Sequence, residues 1–248
     1  MHLLAISRDP RFSKSEADKA ILCAVVACLE QKGHSVDVVS EHDFQGIDVD
    51  EVKADLIFGM YRDEPTLDRL DTLMQKGMPC VPSPNAVRNA RRENHINLLS
   101  EAGIPMPTSG SVGFPCWLKK ASGWTEKADD VIFCEHEFPS QVCLGDYIIQ
   151  QHIEGDLVKF YGVEGTPFFH CHSQSATHYD FNPDTLRLIA GRASATLRLP
   201  IYGGDAIVTP EGAIFVIDFN DWPSFSTCRP QAATSIAQRL LSSVNPCH

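Results

Sequence analysis

Basic residues are scarce in this chain: 21 Lys and Arg stand against 32 Asp and Glu in 248 residues, a formal net charge of -11. A nucleic-acid binder displays a basic stripe, and Arg88, Arg91 and Arg92 form only a local group, so no nucleic acid is expected as a partner. The nine cysteines contain no C-x-x-C pair, which excludes a zinc ribbon or a thioredoxin-type redox motif and reads as free thiols in a reducing cytoplasm. No run approaches the roughly 18 apolar residues of a membrane helix. The opening Met1-His2-Leu3-Leu4-Ala5-Ile6 turns polar at Ser7-Arg8-Asp9, without the basic start and long apolar stretch of a signal peptide. A cytoplasmic protein with no membrane partner is the expectation. No G-x-G-x-x-G follows the first apolar segment, so a dinucleotide site of the usual kind is absent.

With 43% hydrophobic residues, the chain is long enough for one large or two small cores. Its first third alternates strand and helix. Leu3 to Ile6 reads as a strand, Ser13 with Glu16 as a capping box, and Ile21, Ala24, Val25, Cys28 and Leu29 as the apolar stripe of a helix stopping near Gly33. Val36 to Val39 and Leu56 to Phe58 are further strands, with a helix bearing Leu67, Leu70, Leu73 and Met74 before Cys80-Val81. Such alternation predicts a small parallel α/β sheet. After Pro82-Ser83-Pro84 a polar helix is expected as far as Ala102, closed by Gly103. Strands then succeed one another: Cys116 to Lys119, Val131 to Cys134, Tyr147 to Ile153, Leu157 to Val163 and Thr166 to Cys171. A helix capped by Asn182 follows, then a hairpin from Asp205 to Asn220 and a last helix near Gln231 to Leu241. The expected fold class is α/β first, then α+β with antiparallel sheets.

The hairpin carries the most chemistry. If it is symmetric about Glu211-Gly212, Thr209 faces Ile214, Ile207 faces Val216 and Asp205 faces Asp218. Side chains directly opposite lie about 5 Å apart at Cβ, and like charges there repel. Asn220 shares the face of Asp218. Apolar residues on both faces near the turn predict a buried hairpin, in which two facing carboxylates need a cation or a shared proton. The oxygen-only set Asp205, Asp218 and Asn220 suits Mg²⁺ or Mn²⁺. Two acids at a solvent-exposed hairpin mouth are the alternative.

Gly204-Asp205, then Asp218-Phe219-Asn220, then Pro223-Ser224-Phe225 resembles the metal-binding signature of the ATP-grasp superfamily. That resemblance implies a pre-ATP-grasp α/β domain over residues 1–84 and an ATP-grasp domain over 85–248. Within the latter it implies a nucleotide subdomain at about 108–153 and a metal-binding subdomain at about 154–248. The cofactors it implies are ATP and Mg²⁺ or Mn²⁺. Arg91-Arg92, leading into Gly103-Ile104-Pro105, resembles the stretch where members have Asp-Lys, which puts Arg92 in place of a phosphate-binding lysine. A solvated helix cation is the plainer reading of Arg92.

Phe114-Pro115-Cys116-Trp117-Leu118-Lys119 resembles the strand whose lysine contacts the phosphates; Lys120 should face the other way. Gly123 fits a loop over the triphosphate. Tyr147 to Gly155 resembles the hinge whose backbone meets adenine, which points to Gln151, His152 and Ile153, with Glu154 or Asp156 for the ribose. Lys159 occupies a position used for a phosphate-facing cation, and with Arg92 it is assigned a catalytic role; a solvent-facing strand lysine is the alternative. His170-Cys171-His172 admits a zinc reading that the family does not need, and with His178 these histidines could line an acceptor pocket instead.

The reaction that the resemblance implies is ligation: a small-molecule or peptide carboxylate is activated as an acyl phosphate, an amine attacks, and ADP is released. An ATP-grasp kinase acting on a polyol is the alternative, because Val158-Lys159-Phe160-Tyr161-Gly162 also resembles the inositol polyphosphate kinase branch. Some ligases carry arginine where this chain has Gly203. A nucleotide-binding module without chemistry is a third class, disfavoured by the complete metal set. Ligands of open α/β sheets gather at the carboxyl ends of strands, which brings forward Arg8, Tyr61 and Arg62 and hints at an anionic acceptor. The oligomeric state is left open, a homodimer included.

Overall fold

A computed structural model of the chain describes residues 1–10, 15–121, 130–174 and 178–244. The first sheet is parallel, with strands β1 (His2–Ser7), β2 (Ser35–Ser40), β3 (Leu56–Gly59) and β4 (Cys80–Val81) in the order β2-β1-β3-β4. Leu3 to Ile6 and the whole of β3 are buried, as strands covered on both faces must be. Helix α1 (Ser15–Glu30) presses Ile21, Leu22, Val25 and Leu29 onto Leu3, Ala5 and Phe58. The chain turns out of it through Gly33 at φ +83°. The capping box expected at the head of this helix begins at Ser13, outside the described residues.

A four-residue helix α2 (Glu41–Phe44), capped by the Ser40 hydroxyl accepting from the Asp43 N–H, follows β2; it is too short to leave a periodic trace. Helix α3 (Glu64–Gln75) buries Leu67, Leu70 and Leu73. The single polar helix expected after Pro84 is two: α4 (Pro84–Asn89) and α5 (Arg92–Glu101). They break at Arg91, whose ψ of 140° is extended and whose carbonyl accepts the Asn94 and His95 N–H groups at the head of the second helix.

Two antiparallel sheets follow. One has the order β6-β5-β7, from β5 (Cys116–Lys120), β6 (Val131–Cys134) and β7 (Tyr147–Gln151). Strand β7 stops at Gln151, short of the expected Ile153, and the next N–H, of His152, goes to Pro115. The other sheet has the order β11-β10-β8-β9, from β8 (Asp156–Val163), β9 (Phe169–Ser173), β10 (Ile201–Val208) and β11 (Ile214–Asp221). The expected start of β9 at Thr166 lies in the turn instead, where the Thr166 N–H returns to the Val163 carbonyl. Gly155 joins the two sheets at φ +159°, and a Cβ there would sit 2.3 Å from the Val208 carbonyl oxygen.

One face of the four-stranded antiparallel sheet, through Val158, Phe160, Ala206, Val208, Val216 and Phe219, packs on Leu186, Ala190, Ala193 and Leu197 of helix α6 (Pro183–Leu197). Near its far end Tyr161, Val163, Ile201, Trp222 and Phe225 share a core with helix α7 (Arg229–Val244) and with the parallel sheet. The Trp222 ring is fully buried and stacks on Phe58 of β3, with centroids 6.0 Å apart. Trp222 and Phe225 hold φ of 35° and 48°, a conformation costing of order 1–3 kcal/mol each, which the burial of both rings offsets. Among the described residues no helix is long and apolar enough to cross a membrane, and the described cysteines are free thiols.

Because Trp222 ties the end of β11 to the parallel sheet, Trp222→Ala should cost about 3–5 kcal/mol of stability. Urea unfolding measures this; a loss below about 1 kcal/mol would mean that the ring does not bridge the two sheets.

Candidate functional site

The four-stranded antiparallel sheet lays charged side chains in register across its strands. Asp205 stands opposite Asp218 on one side and opposite Lys159 on the other, and Lys159 stands opposite His172. The facing of Asp205 and Asp218 is as the symmetric hairpin predicts; the rest of that register is not. Ile207 faces Phe215 rather than Val216, and Val208 rather than Thr209 faces Ile214, because a bulge lies between Asp205/Ala206 and the partner strand. The bulge adds Ile217 to β11, so Ile217 and Asp218 in succession both line the same cleft. The hairpin is therefore buried on one face only: Ala206, Val208, Ile214 and Val216 are buried, while Asp205, Ile207, Phe215 and Ile217 are half-buried.

Cations hold the two acids in place. The Lys159 ammonium is 2.9 Å from Asp205; burial works against its charge, but Asp205 outweighs that and raises its pKa. Burial alone would raise the Asp218 carboxyl, yet His95, Arg92 and Lys119 together with the Asn220 amide hold it below the usual carboxylate range. The Asn220 amide donates to Asp218 at 3.0 Å, leaving its carbonyl oxygen for a cation. Two acids and an amide carbonyl are a hard oxygen set that fits Mg²⁺. Among the described residues no group of three or more His, Cys, Asp and Glu converges as a metal site, so His170, Cys171 and His172 form no zinc centre with further such ligands there.

Across the cleft stands β5. Lys119 is 7% exposed and donates to the Ile217 carbonyl at 2.7 Å, within the bulged stretch. Burial pulls its pKa down to about 8 against the pull of Asp218. Lys120 points away, is exposed and lies 3.6 Å from Asp130, as strand alternation predicts. Arg92 donates to the Lys120 carbonyl at 3.3 Å and faces the same cleft. The cleft encloses a cavity of about 350 Å³. Arg92, Lys119, Asp205 and Asp218 occupy its polar end, while Trp117, Ile153, Leu157, Ile207 and Ile217 supply apolar wall. Gln151 and His152 also line it, and the Trp117 indole N–H donates to His152 Nδ1 at 3.0 Å.

Two residues escaped the sequence reading. Gln150 lines the cavity, is 1% exposed, and its amide nitrogen has no partner among the described residues. His95, 2% exposed, is held by a hydrogen bond between Nδ1 and the Ala90 carbonyl at 3.1 Å. Burial lowers its pKa, against the attraction of Asp218. A glutamine one place before the named pair and a histidine one turn after Arg92 carry no signal in spacing alone.

Other predicted site residues lie elsewhere. Asp156 is buried and its carboxylate accepts the Tyr179 N–H, whereas Glu154 is exposed. His178 is exposed. Gly123 lies outside the described residues. Tyr61 is fully buried with its hydroxyl donating to the Pro82 carbonyl, which keeps it out of any cleft. Arg8 is buried against Asp18, and Arg62 reaches Asp221. At Gly203 a Cβ would fall 2.7 Å from Pro223 and 2.9 Å from the Tyr161 ring, so no larger residue fits there as the loop stands.

A parallel sheet followed by two antiparallel sheets that clasp one cleft is the ATP-grasp fold, and this chain has it. It resembles the RimK-domain ATP-grasp protein of Sphaerobacter thermophilus, with TM-score 0.72 and 17% identity over 96% of this chain and 99% of that one. It also resembles the D-alanine–D-alanine ligase of Bacillus anthracis, with TM-score 0.70 and 12% identity over 99% and 97% of the two chains. The ATP-grasp ligase PsnB, in complex with a minimal precursor, Mg and ADP, gives TM-score 0.67 and 14% identity over 98% of each chain. No protein-family model matches the chain, and no curated protein matches it in sequence.

Lys159 occupies the Asp205 carboxylate that a divalent cation would take. Lys159→Met should therefore raise the affinity for Mg²⁺ in the absence of nucleotide several-fold, read by calorimetry; an unchanged or weaker affinity would place the cation away from Asp205.

Proposed function

We propose that the chain is an ATP- and Mg²⁺-dependent ligase that activates a carboxylate for attack by an amine and releases ADP. The observation that carries this reading is the in-register row Asp218–Asp205–Lys159, set against Lys119 and Arg92 across a cavity with an apolar end. The apolar end suits a planar base. The strand end after Gln150 offers it backbone groups, and the unpartnered Gln150 amide offers a donor. Of the two acids weighed for the ribose, the exposed Glu154 is the one free to reach it. Asp205, Asp218 and the Asn220 carbonyl would hold Mg²⁺, which supplies charge neutralisation on the transferred phosphoryl group.

The chain's own part is positioning and charge. Lys119 and Arg92 fix the phosphates from one wall and Lys159 from the other, so the phosphoryl group is aligned between two sheets. Gly155 sets the angle between those sheets. The substrate in this reading is a small-molecule or peptide carboxylate with an amine acceptor, and the reaction belongs in the cytoplasm. One observation favours the kinase reading instead: the crowded Gly203 leaves no room for the arginine that some ligases carry at that position.

ATP should bind only with a divalent metal, and Asp218→Asn should abolish turnover with the fold intact. Hydroxylamine added to enzyme, MgATP and a carboxylate should yield ADP and a hydroxamate. A stable phosphate ester without hydroxamate would move the assignment to the kinase, and AMP would count against both.

Lys119 supplies a pH signature. Its pKa of about 8 lies below the ordinary lysine value because of burial, and a bound triphosphate raises it again. Near pH 8 nucleotide binding should then take up protons, so the measured heat varies with buffer ionisation enthalpy, and affinity falls as pH climbs above about 8. Lys119→Ala should remove that dependence and weaken ATP by about 1.5–3 kcal/mol while AMP binding changes little. Buffer-independent heats in the parent protein would contradict this.

A further inference from the structure

Behind the cleft wall, the sheet β6-β5-β7 keeps a small core of its own. Its buried members are Cys116, Leu118 and Cys134, ringed by half-buried residues such as Ile132, Phe138 and Tyr147. Cys116 and Cys134 stand directly opposite each other across the β5–β6 ladder, 0% and 2% exposed. Side chains so placed lie on one face of the pair, here the face turned away from Trp117 and Lys119. Among the described residues no other two cysteines hold facing ladder positions.

The register also fixes the kind of pairing. On its other side Cys116 faces Gln151, and the bond across that pair runs from the His152 N–H to the Pro115 carbonyl. The N–H and C=O of Cys116 itself are therefore turned towards β6. Cys116–Cys134 is then a hydrogen-bonded pair, with Cα atoms about 5.5 Å apart. A disulfide spans Cα separations of about 4.4–6.8 Å, so these two thiols can join without moving either strand. Burial raises the pKa of both, and the nearby Cys134 raises that of Cys116 further. The closed sheet thus keeps them as unreactive thiols. Access comes from β6, four residues long and an edge strand with β5 as its one neighbour; short edge elements of this kind open locally.

We propose that Cys116 and Cys134 are a redox modification site, oxidised by a small disulfide to a cross-strand bond that pins β6. Opening of β6 lets the Cys134 thiolate attack one sulfur of a compound such as oxidised glutathione, expelling one thiolate. The Cys116 thiolate then attacks the Cys134 sulfur of that mixed disulfide and expels the other. The two cysteines lose two protons and two electrons in all, and the oxidant becomes two thiols. Phe133, next to Cys134, packs its ring on Trp117 and His152 with centroids 4.9 and 5.2 Å apart, and those two residues line the cleft. The bond therefore stiffens one cleft wall from behind and leaves the cleft itself free. It does not rest on the phosphoryl-transfer reading.

The test uses the full chain with the exposed thiols removed by Cys23→Ser and Cys143→Ser. After treatment with oxidised glutathione, free thiols are alkylated and the unreduced digest is read by mass spectrometry. The expected product is one cross-linked peptide pair holding Cys116 and Cys134, two hydrogens lighter than its parts. Closing the stretch 116–134 should raise the melting temperature by several degrees, slow amide exchange in β6, and reverse with dithiothreitol. Adding Cys134→Ala should remove both the cross-link and the rise. Recovery of Cys116 and Cys134 as alkylated or separately glutathionylated thiols, even in urea just below the unfolding midpoint where edge strands open, overturns the proposal. So does a cross-link that leaves the melting temperature and β6 exchange unchanged, since the pair would then pin nothing.

Discussion

Two carboxylates held opposite each other set the terms for this molecule. Asp205 and Asp218 face one another across a β-ladder, where like charges repel, and the surroundings are arranged to tolerate them. Lys159 is paired on the neighbouring strand, Lys119 reaches across from the other antiparallel sheet, and Arg92 and His95 come from the head of α5. Three separate segments thus converge on one pair of acids.

The bulge at Ile217 is the local device that makes this possible. Regular alternation would put Ile217 on the face opposite Asp218; with the bulge both look into the cavity, one as apolar wall and one as charge. The Ile217 carbonyl accepts the Lys119 ammonium. A ladder irregularity therefore joins the two antiparallel sheets by a charge-assisted hydrogen bond, stronger than a neutral one.

Much of this was legible in the sequence and some was not. Alternating apolar segments before Pro82 gave the parallel sheet, and turn residues at Glu211-Gly212 gave the hairpin with Asp205 opposite Asp218. Lys119 could be separated from Lys120 because strand alternation is strict. The bulge was not legible, since an added residue leaves composition and period almost unchanged. Nor was the break at Arg91, where the residues on both sides favour helix and only the backbone of Arg91 turns extended. Gln150 and His95 were missed because their meaning comes from what surrounds them: a buried amide without a partner, and an imidazole beside Asp218. Asp156 looked as available as Glu154 until its carboxylate was seen to cap the Tyr179 backbone.

Gly155 has a consequence for how this sequence can vary. Its φ of +159° and the Val208 oxygen 2.3 Å from where a Cβ would stand leave only hydrogen as a side chain, at the one joint between the sheet carrying Lys119 and the sheet carrying Asp205. A mutational library should therefore accept many residues at exposed neighbours such as Glu154 while returning glycine alone at 155. The angle between the two walls of the cleft is inherited through a single position that codes for no chemistry of its own.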